Sequence, residues 1–347
     1  MSQSNGGRRV TLQDIARRTG YSITAVSRAL RGMSDIGPDA TERIKQVAQE
    51  MGYVANQTAV ALRYGRTHII TLILVNITNP FFSIMTDLIQ IAAQKAGYSL
   101  MILCSRDDPE LELQQVDQAI ARCVDGVLIF PTRQSGPAIE RLRSAHMPFV
   151  LLSNCLAPDT ADSVVCNDEA GAYLATRHLI EAGRSKLAYL ASSDIALSHA
   201  PRMEGFLRAC REAGLPQGAY LHLTVPSLSR PSPWRSELEG ELRKLKSNGF
   251  DGLFLYCDIE AWRVMSVLAQ CEVLHPEDFG IVSFDNIDGA LASPTPLCSV
   301  DCGLAEMAGR SVELLLSRLE GAQHPPQTIT CPVSIVCRMS CAGTPRP

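Results

Sequence analysis

The sequence predicts a small all-α helix-turn-helix head followed by a two-lobed α/β body on doubly wound parallel sheets. Three observations carry this. Residues 1–66 hold ten Lys/Arg against five Asp/Glu, a net +5, whereas the other 281 hold 22 against 31, a net −9. Glycines at positions 20, 32 and 52 punctuate three short segments of helical periodicity within the basic head. Past residue 67, apolar runs of strand length alternate with helical patterns, and the alternation occurs as two sets.

In the head, Thr11 is a good N-cap, and Leu12, Ile15, Ala16 and Thr19 fall on one face of a helix that Gly20 ends. Ser22 caps a second helix with Val26 and Leu30 inward and Ile23, Thr24, Ser27 and Arg28 outward, stopped by Gly32. A third begins at Gly37-Pro38, turns Ile44, Val47, Ala48 and Met51 inward, and stops at Gly52. The outward face of the second helix suits the major groove of DNA. Arg can bond guanine bidentately, Thr can reach several base edges or a phosphate, and an apolar tip such as Ile23 can meet a thymine methyl. A basic head on an acidic body confines such a contact to one end of the chain.

The run Val10-Thr11-Leu12, Asp14-Ile15-Ala16, Gly20, Ser22, Val26-Ser27-Arg28 and Leu30, followed by Gly52-Tyr53 and Asn56, resembles the lac repressor (LacI/GalR) family. The resemblance implies a hinge helix over residues 57–63 within a 57–66 hinge and linker, where Ala59 faces DNA and Leu62 wedges into the minor groove when a dimer sits on its operator. Burial of Leu62 against the body is the alternative. The candidate DNA-contact set is therefore Thr11, Ser22, Ile23, Thr24, Ser27, Arg28, Asn56, Ala59 and Leu62.

In the body, Ile69–Val75, Ser99–Cys104, Gly126–Phe130 and Phe149–Leu152 read as buried parallel strands, and Lys186–Leu190, Gly252–Tyr256 and Gly280–Phe284 as a second set. Ligands of such sheets bind outside the carboxyl ends of the strands, so the cleft between lobes is the expected site. The family resemblance implies a periplasmic-binding-protein-like body in which the chain crosses between lobes three times. The crossings are expected near Asn154–Asn167, Pro294–Asp301 and Cys331–Arg338. Supporting motifs include Asn79-Pro80-Phe81-Phe82, Gly171, His178-Leu179 and Arg202-x-x-Gly205-Phe206. The expected division is a 1–9 N-terminal segment, a 10–56 DNA-binding domain, a 57–66 hinge, a 67–340 effector and dimerisation domain, and a 341–347 tail. Within the body, lobe one is expected over about 67–154 and 301–330, and lobe two over about 167–294 and 331–340.

The resemblance places Asn76, Phe81, Phe82, Ser153, Arg202, Asp258 and Asp285 in the cleft as effector-binding residues. Arg202 offers a planar fork to vicinal hydroxyls or a carboxylate, the two Asp accept from hydroxyls, and a Phe stacks on a sugar or base. The same carboxylates can instead cap a following helix, and one of the two Phe can belong to the core. The chain departs from the family pattern at Cys257, Ser153-Asn154 and Ser283. A sugar or sugar acid is the expected effector class, with nucleosides and purines behind it.

Other classes are disfavoured. The chain lacks G-x-G-x-x-G, G-x-x-x-x-G-K-[ST] and G-x-S-x-G motifs, and its seven histidines are dispersed, so no catalytic residues are expected. An enzyme or a non-regulatory binding protein on the same architecture is the alternative. The twelve cysteines show no C-x-x-C, so free thiols and no metal are expected; a metal or redox role for Cys331, Cys337 and Cys341 is the alternative, disfavoured because no histidine lies near them in sequence. No uninterrupted apolar run reaches membrane-spanning length and the N-terminus is polar, so a cytoplasmic protein without membrane partners is expected. The expected partners are a pseudo-palindromic DNA operator, a small-molecule effector and a second copy of the chain. No further cofactor is expected. The C-terminus carries no leucine heptad, which points to a dimer.

Overall fold

The computed structural model describes residues 10–53, 66–153, 160–192, 197–225, 234–271, 278–287 and 296–341, which divide into a head ending at residue 67 and a body beginning at His68.

The head packs α1 (Leu12–Thr19), α2 (Ile23–Leu30) and α3 (Pro38–Glu50) around Ile15, Ala16, Val26, Ala29, Ile44 and Ala48. Thr11 and Asp14 form a reciprocal capping box at the start of α1, and Gly20 ends it in a left-handed conformation that costs glycine little. The Ser22 hydroxyl accepts from the Ala25 amide at 3.1 Å to start α2. Ala29 fills the innermost position of α2, while Leu30, expected inward, is only half-buried. An eight-residue helix turns a face of one or two residues per turn inward, and the small Ala29 lets α2 approach its neighbours closely.

The body contains two six-stranded sheets. Sheet one joins β1 (Ile69–Leu74), β2 (Ser99–Cys104), β3 (Gly126–Ile129), β4 (Phe149–Leu152), β5 (Ser163–Cys166) and β11 (Thr328–Cys331) in the order β11-β5-β4-β3-β1-β2, all parallel. Sheet two joins β6 (Leu187–Ser192), β7 (Tyr220–Val225), β8 (Gly252–Leu255), β9 (Gly280–Asp285), β10 (Cys298–Asp301) and β12 (Ser334–Val336) in the order β12-β10-β9-β8-β6-β7. Only β12 runs antiparallel. Alternate residues of each strand serve opposite faces. Ile70, Leu72 and Leu74 of β1 meet Met85 and Ile89 of α4 (Pro80–Lys95) together with Met307 and Leu315 of α11 (Leu304–Leu319). Ile73, on the other face, joins the apolar side of α5 (Pro109–Ala121) and α6 (Gly136–Ser144).

Sheet two is covered likewise. Tyr189, Phe254 and Phe284 pack under α7 (Asp168–Glu181) and α8 (His199–Glu212). Leu190, Leu253 and Ile281 pack under α9 (Trp234–Ser247) and α10 (Asp258–Leu268). Two of the sequence motifs prove to be steric. A Cβ on Gly171 of α7 would lie 2.6 Å from the Phe284 ring, and one on Gly205 of α8 would collide with the Glu169 carbonyl oxygen. Both glycines let backbones approach where any side chain would hold them apart.

The chain passes from sheet one to sheet two after β5, returns after β10, and passes again between β11 and β12. The strands β5 and β10 lie inside the first two segments expected to be crossings. They belong to the sheets on either side, because each completes its hydrogen bonding laterally on a neighbouring strand. Among the described residues no helix is long and apolar enough to cross a membrane.

Candidate functional site

On the head, Ile23 is 47% exposed and Thr24 and Ser22 are also exposed. Ser27 and Arg28 are half-buried one turn further along. The Arg28 guanidinium is engaged by Asp35 at 2.6 Å, and the Arg31 Nε donates to the Ser27 carbonyl at 2.9 Å. The outward face of α2 is therefore as expected in composition, but its one cation carries an internal counterion. Thr11 is half-buried and committed to the α1 cap. Asn56, Ala59, Leu62 and nearly all of the expected hinge lie outside the described residues.

In the body, all seven expected effector residues lie at or just beyond the carboxyl ends of the strands. Asn76, Phe81 and Phe82 follow β1 and Ser153 follows β4; Asp258 follows β8, Asp285 ends β9, and Arg202 lies in the first turns of α8. Ser153 and Asp285 hold positive φ values of +66° and +106°, a conformation that costs a non-glycine residue roughly 1–3 kcal/mol and gathers at functional sites.

Asn76 and Asp258 are spent on internal bonds. Asn76 Oδ1 accepts from the Thr78 amide and hydroxyl and from the Asn79 amide at 2.9–3.1 Å, closing the turn into α4. Asp258 is fully buried and accepts from Ser299 Oγ at 2.7 Å, the Ile287 amide at 2.9 Å and the Ser283 hydroxyl. Its role is to tie α10 to β9 and β10, so neither it nor Asn76 offers a vacant acceptor. Phe81 and Phe82 pack edge-on against Phe130 with centroids 5.1–6.0 Å apart, and both are half-buried.

Arg202, 4% exposed, is the centre of the lobe-two edge. Its Nε donates to Asp168 at 2.7 Å, Asp285 lies 3.8 Å away, and the guanidinium sits 3.6 Å over Phe284 and 4.6 Å over Tyr256. Burial opposes its charge, but Asp168, Tyr256 and Asp285 hold its pKa well above the ordinary value. One cation cannot neutralise every acid gathered here. Burial pushes the Asp285 carboxyl well up, and it pushes Glu260, whose Oε1 accepts from the Ser192 amide at 2.8 Å, to about 7.

Sequence reasoning missed several groups at this edge. Tyr256 OH meets Ser198 Oγ at 2.7 Å, and Tyr189 OH meets His199 Nδ1 at 3.2 Å. The His199 ring lies 5.0 Å from that of His222. Burial first, then His222 and the positive charges of Arg133 and Arg202, pushes His199 down to about 4. From lobe one, buried Glu112 grips the turn carrying Arg133 by accepting from the Thr132 amide at 2.7 Å and from the Ser135 hydroxyl. No local pattern marks these residues, because each meets its partner on a separate element of the fold, 10 to 58 residues away.

The expectation that no histidine accompanies the C-terminal cysteines is corrected. Cys331 is buried in β11, where burial pushes its thiol up to about 11, whereas Cys337 and Cys341 meet Cys298 and His178. The fold brings together groups that sequence distance separates.

Comparison with known proteins bears on both units. Residues 11–56 match the family of bacterial regulatory proteins of the lacI type. Residues 67–228 match the periplasmic binding proteins and sugar-binding domain of the LacI family, and residues 176–341 match a periplasmic binding protein-like domain. A transcriptional repressor, PurR of Actinobacillus pleuropneumoniae, is 26% identical over 332 residues, covering 95% of this chain and 98% of that protein. The transcriptional regulator DegA of Bacillus subtilis is 28% identical over 337 residues, covering 96% and 98%. Among solved structures, the lac repressor dimer bound to operator and the anti-inducer ONPF has the same fold, with a TM-score of 0.83 at 20% identity over 97% of this chain and all of that one. A complex of the regulator CelR with cellobiose matches at a TM-score of 0.68 and 22% identity over 96% of this chain and all of that one. The chain is a member of the lacI family of bacterial regulatory proteins, a DNA-binding transcriptional regulator and not an enzyme.

Proposed function

We propose that the protein is a cytoplasmic, homodimeric repressor that binds a pseudo-palindromic operator through α2 and the hinge and changes its affinity when a small metabolite binds between the two lobes. The observation that carries this is the pairing, in one chain, of an exposed Ile23-Thr24 tip on a capped recognition helix with two largely parallel sheets whose carboxyl ends hold Arg202 and the Phe81-Phe82-Phe130 cluster. Aromatic side chains that can stack on a sugar ring, beside polar groups at the strand ends, suit a sugar or sugar acid, the class we favour. No cofactor beyond that effector enters the reading. A ligand shifts operator affinity only by binding one arrangement of the dimer better than the other.

The test is a fluorescence-anisotropy titration of labelled duplexes covering the DNA upstream of the gene, repeated across salt concentrations and with candidate sugars and sugar acids. One duplex should bind far more tightly than scrambled sequence, with affinity falling steeply with salt. At least one metabolite should shift that affinity. Equal binding to all duplexes would sink the regulatory reading, and a response confined to purines would replace the sugar class.

A further inference from the structure

Four side chains that play no part in the cleft or the DNA-binding face converge on the far side of lobe two. His178 comes from the last turn of α7, Cys298 opens β10, and Cys337 and Cys341 lie just beyond β12. One ligand-type atom from each lies within 4.8 Å of every other. His178 Nε2 is 2.8 Å from Cys341 Sγ, and Cys341 Sγ is 2.9 Å from Cys298 Sγ. Cys298 and Cys341 are buried, His178 is half-buried and Cys337 is exposed, so the cluster has a dry interior and an open mouth.

We propose that His178, Cys298, Cys337 and Cys341 form a Cys3His structural site for zinc or a similar thiophilic divalent cation. Three thiolates and an imidazole are a donor set that zinc takes in closed, tetrahedral structural sites. With zinc–sulfur bonds near 2.3 Å and a zinc–nitrogen bond near 2.0 Å, tetrahedral ligand atoms stand about 3.5–3.8 Å apart. The two short contacts therefore open by less than about 1 Å on binding. The sulfur–sulfur separation of 2.9 Å is well beyond a disulfide bond, normally about 2.05 Å. Binding displaces the thiol protons to solvent and leaves three zinc–sulfur bonds and one zinc–nitrogen bond, with no change of oxidation state.

The surroundings fit a metal site. The Arg338 amide donates to Cys298 Sγ at 3.0 Å, the kind of outer contact that steadies a metal-bound thiolate. The Cys298 amide donates to Ser340 Oγ at 2.7 Å, and that hydroxyl donates to the Ile281 carbonyl at 2.6 Å. The Arg338 guanidinium bonds the Leu297 carbonyl and Asn286 Oδ1, each at 2.7 Å. A bound ion would clamp the segment after β12, where the chain has just crossed into lobe two, to β10 and α7.

The experiment uses the full chain, purified under reducing conditions without chelator. Elemental analysis should find about one zinc per chain. After zinc removal, cobalt(II) should produce an intense thiolate-to-metal ultraviolet band and the visible bands of a tetrahedral ion. Cys337→Ser, at the exposed ligand, should weaken zinc binding in a chelator competition by more than about 100-fold, while Cys123→Ser, an exposed cysteine elsewhere, should not. His178→Asn, with folding followed by circular dichroism, provides a second ligand variant. Absence of tetrahedral cobalt bands would overturn the proposal. So would equal zinc affinity in the Cys337 and Cys123 variants, or a Cys298–Cys341 disulfide found by mass spectrometry of the reduced-purified protein.

Discussion

Arg202 and Asp168 form an ion pair 2.7 Å long with both side chains under a tenth exposed, joining the N-terminal part of α8 to the residue that opens α7 just past β5. The pair lies where the chain first leaves sheet one, so the same contact that fills the cleft edge also fixes the start of lobe two. A buried pair of this kind costs desolvation to form, and its loss on one side is worse than its loss on both.

Arg202→Met should accordingly destabilise the body by about 3–5 kcal/mol, and Asp168→Asn by a smaller but clear amount. The double variant should be more stable than the sum of the single effects predicts. Urea unfolding of the four proteins decides it; strict additivity would mean that the two side chains act independently.

Arg28 is the one cation at the α2 surface for which a base contact is expected, and it is held by Asp35. Arg28→Ala should lose discrimination at one operator position by about 1–3 kcal/mol. Because both partners are more than two-fifths exposed, Asp35→Ala should alter stability by no more than about 1 kcal/mol. Anisotropy titrations with single-base operator variants separate the cases: a uniform loss on every duplex would make Arg28 a phosphate anchor.

Glu260 and His199 should oppose each other in the pH dependence of stability. Glu260 is ordinarily acidic near 4.5 and lies near 7 in the fold. Between those values the unfolded chain releases a proton that the folded chain keeps, so stability falls as pH rises, by an amount on the order of 3 kcal/mol. His199, lowered from 6.5 to about 4, binds its proton mainly in the unfolded chain over that window, so its contribution rises with pH. Glu260→Gln should keep the Ser192 contact and remove the Glu260 share of the fall, so that the variant loses less stability than the wild type between pH 4.5 and 7. Parallel wild-type and variant profiles in urea melts would show that Glu260 does not titrate in this range.

Gly205 and Gly240 provide a steric contrast. Gly205→Ala drives a methyl into the Glu169 carbonyl and should cost about 1–3 kcal/mol or more as α7 and α8 separate. A Cβ on Gly240 of α9 meets nothing within 4 Å, so Gly240→Ala should stabilise by about 0.5–1 kcal/mol through helix propensity. Thermal melts of the two variants should move in opposite directions.

The head was legible almost residue by residue, because caps, glycine stops and the 3.6-residue period act over four residues or fewer. Seven strands were legible for the same reason, but β2, expected to be buried, is the edge of sheet one and is only half-buried, because it has a neighbour on one side alone. The strands β5, β7, β10, β11 and β12 were not, being short or mixed in polarity and defined by the partner they pair with rather than by their own pattern. That the seven expected residues stand at the strand ends was legible, but their bonding was not. Asp258 finds its serine partners 25 and 41 residues away, and no local pattern tells a satisfied carboxylate from a waiting one.

By itself, then, the sequence determined that this is a DNA-binding head on a two-lobed α/β body, because those features rest on local periodicity and a local family motif. Only the tertiary structure decided that Asn76 and Asp258 are spent within the fold, that Arg202 is neutralised by Asp168, and that His178 meets Cys341 across 163 residues of chain. Hydrogen bonds, ion pairs and donor clusters form between neighbours in space, and folding chooses those neighbours with no regard to their separation in sequence.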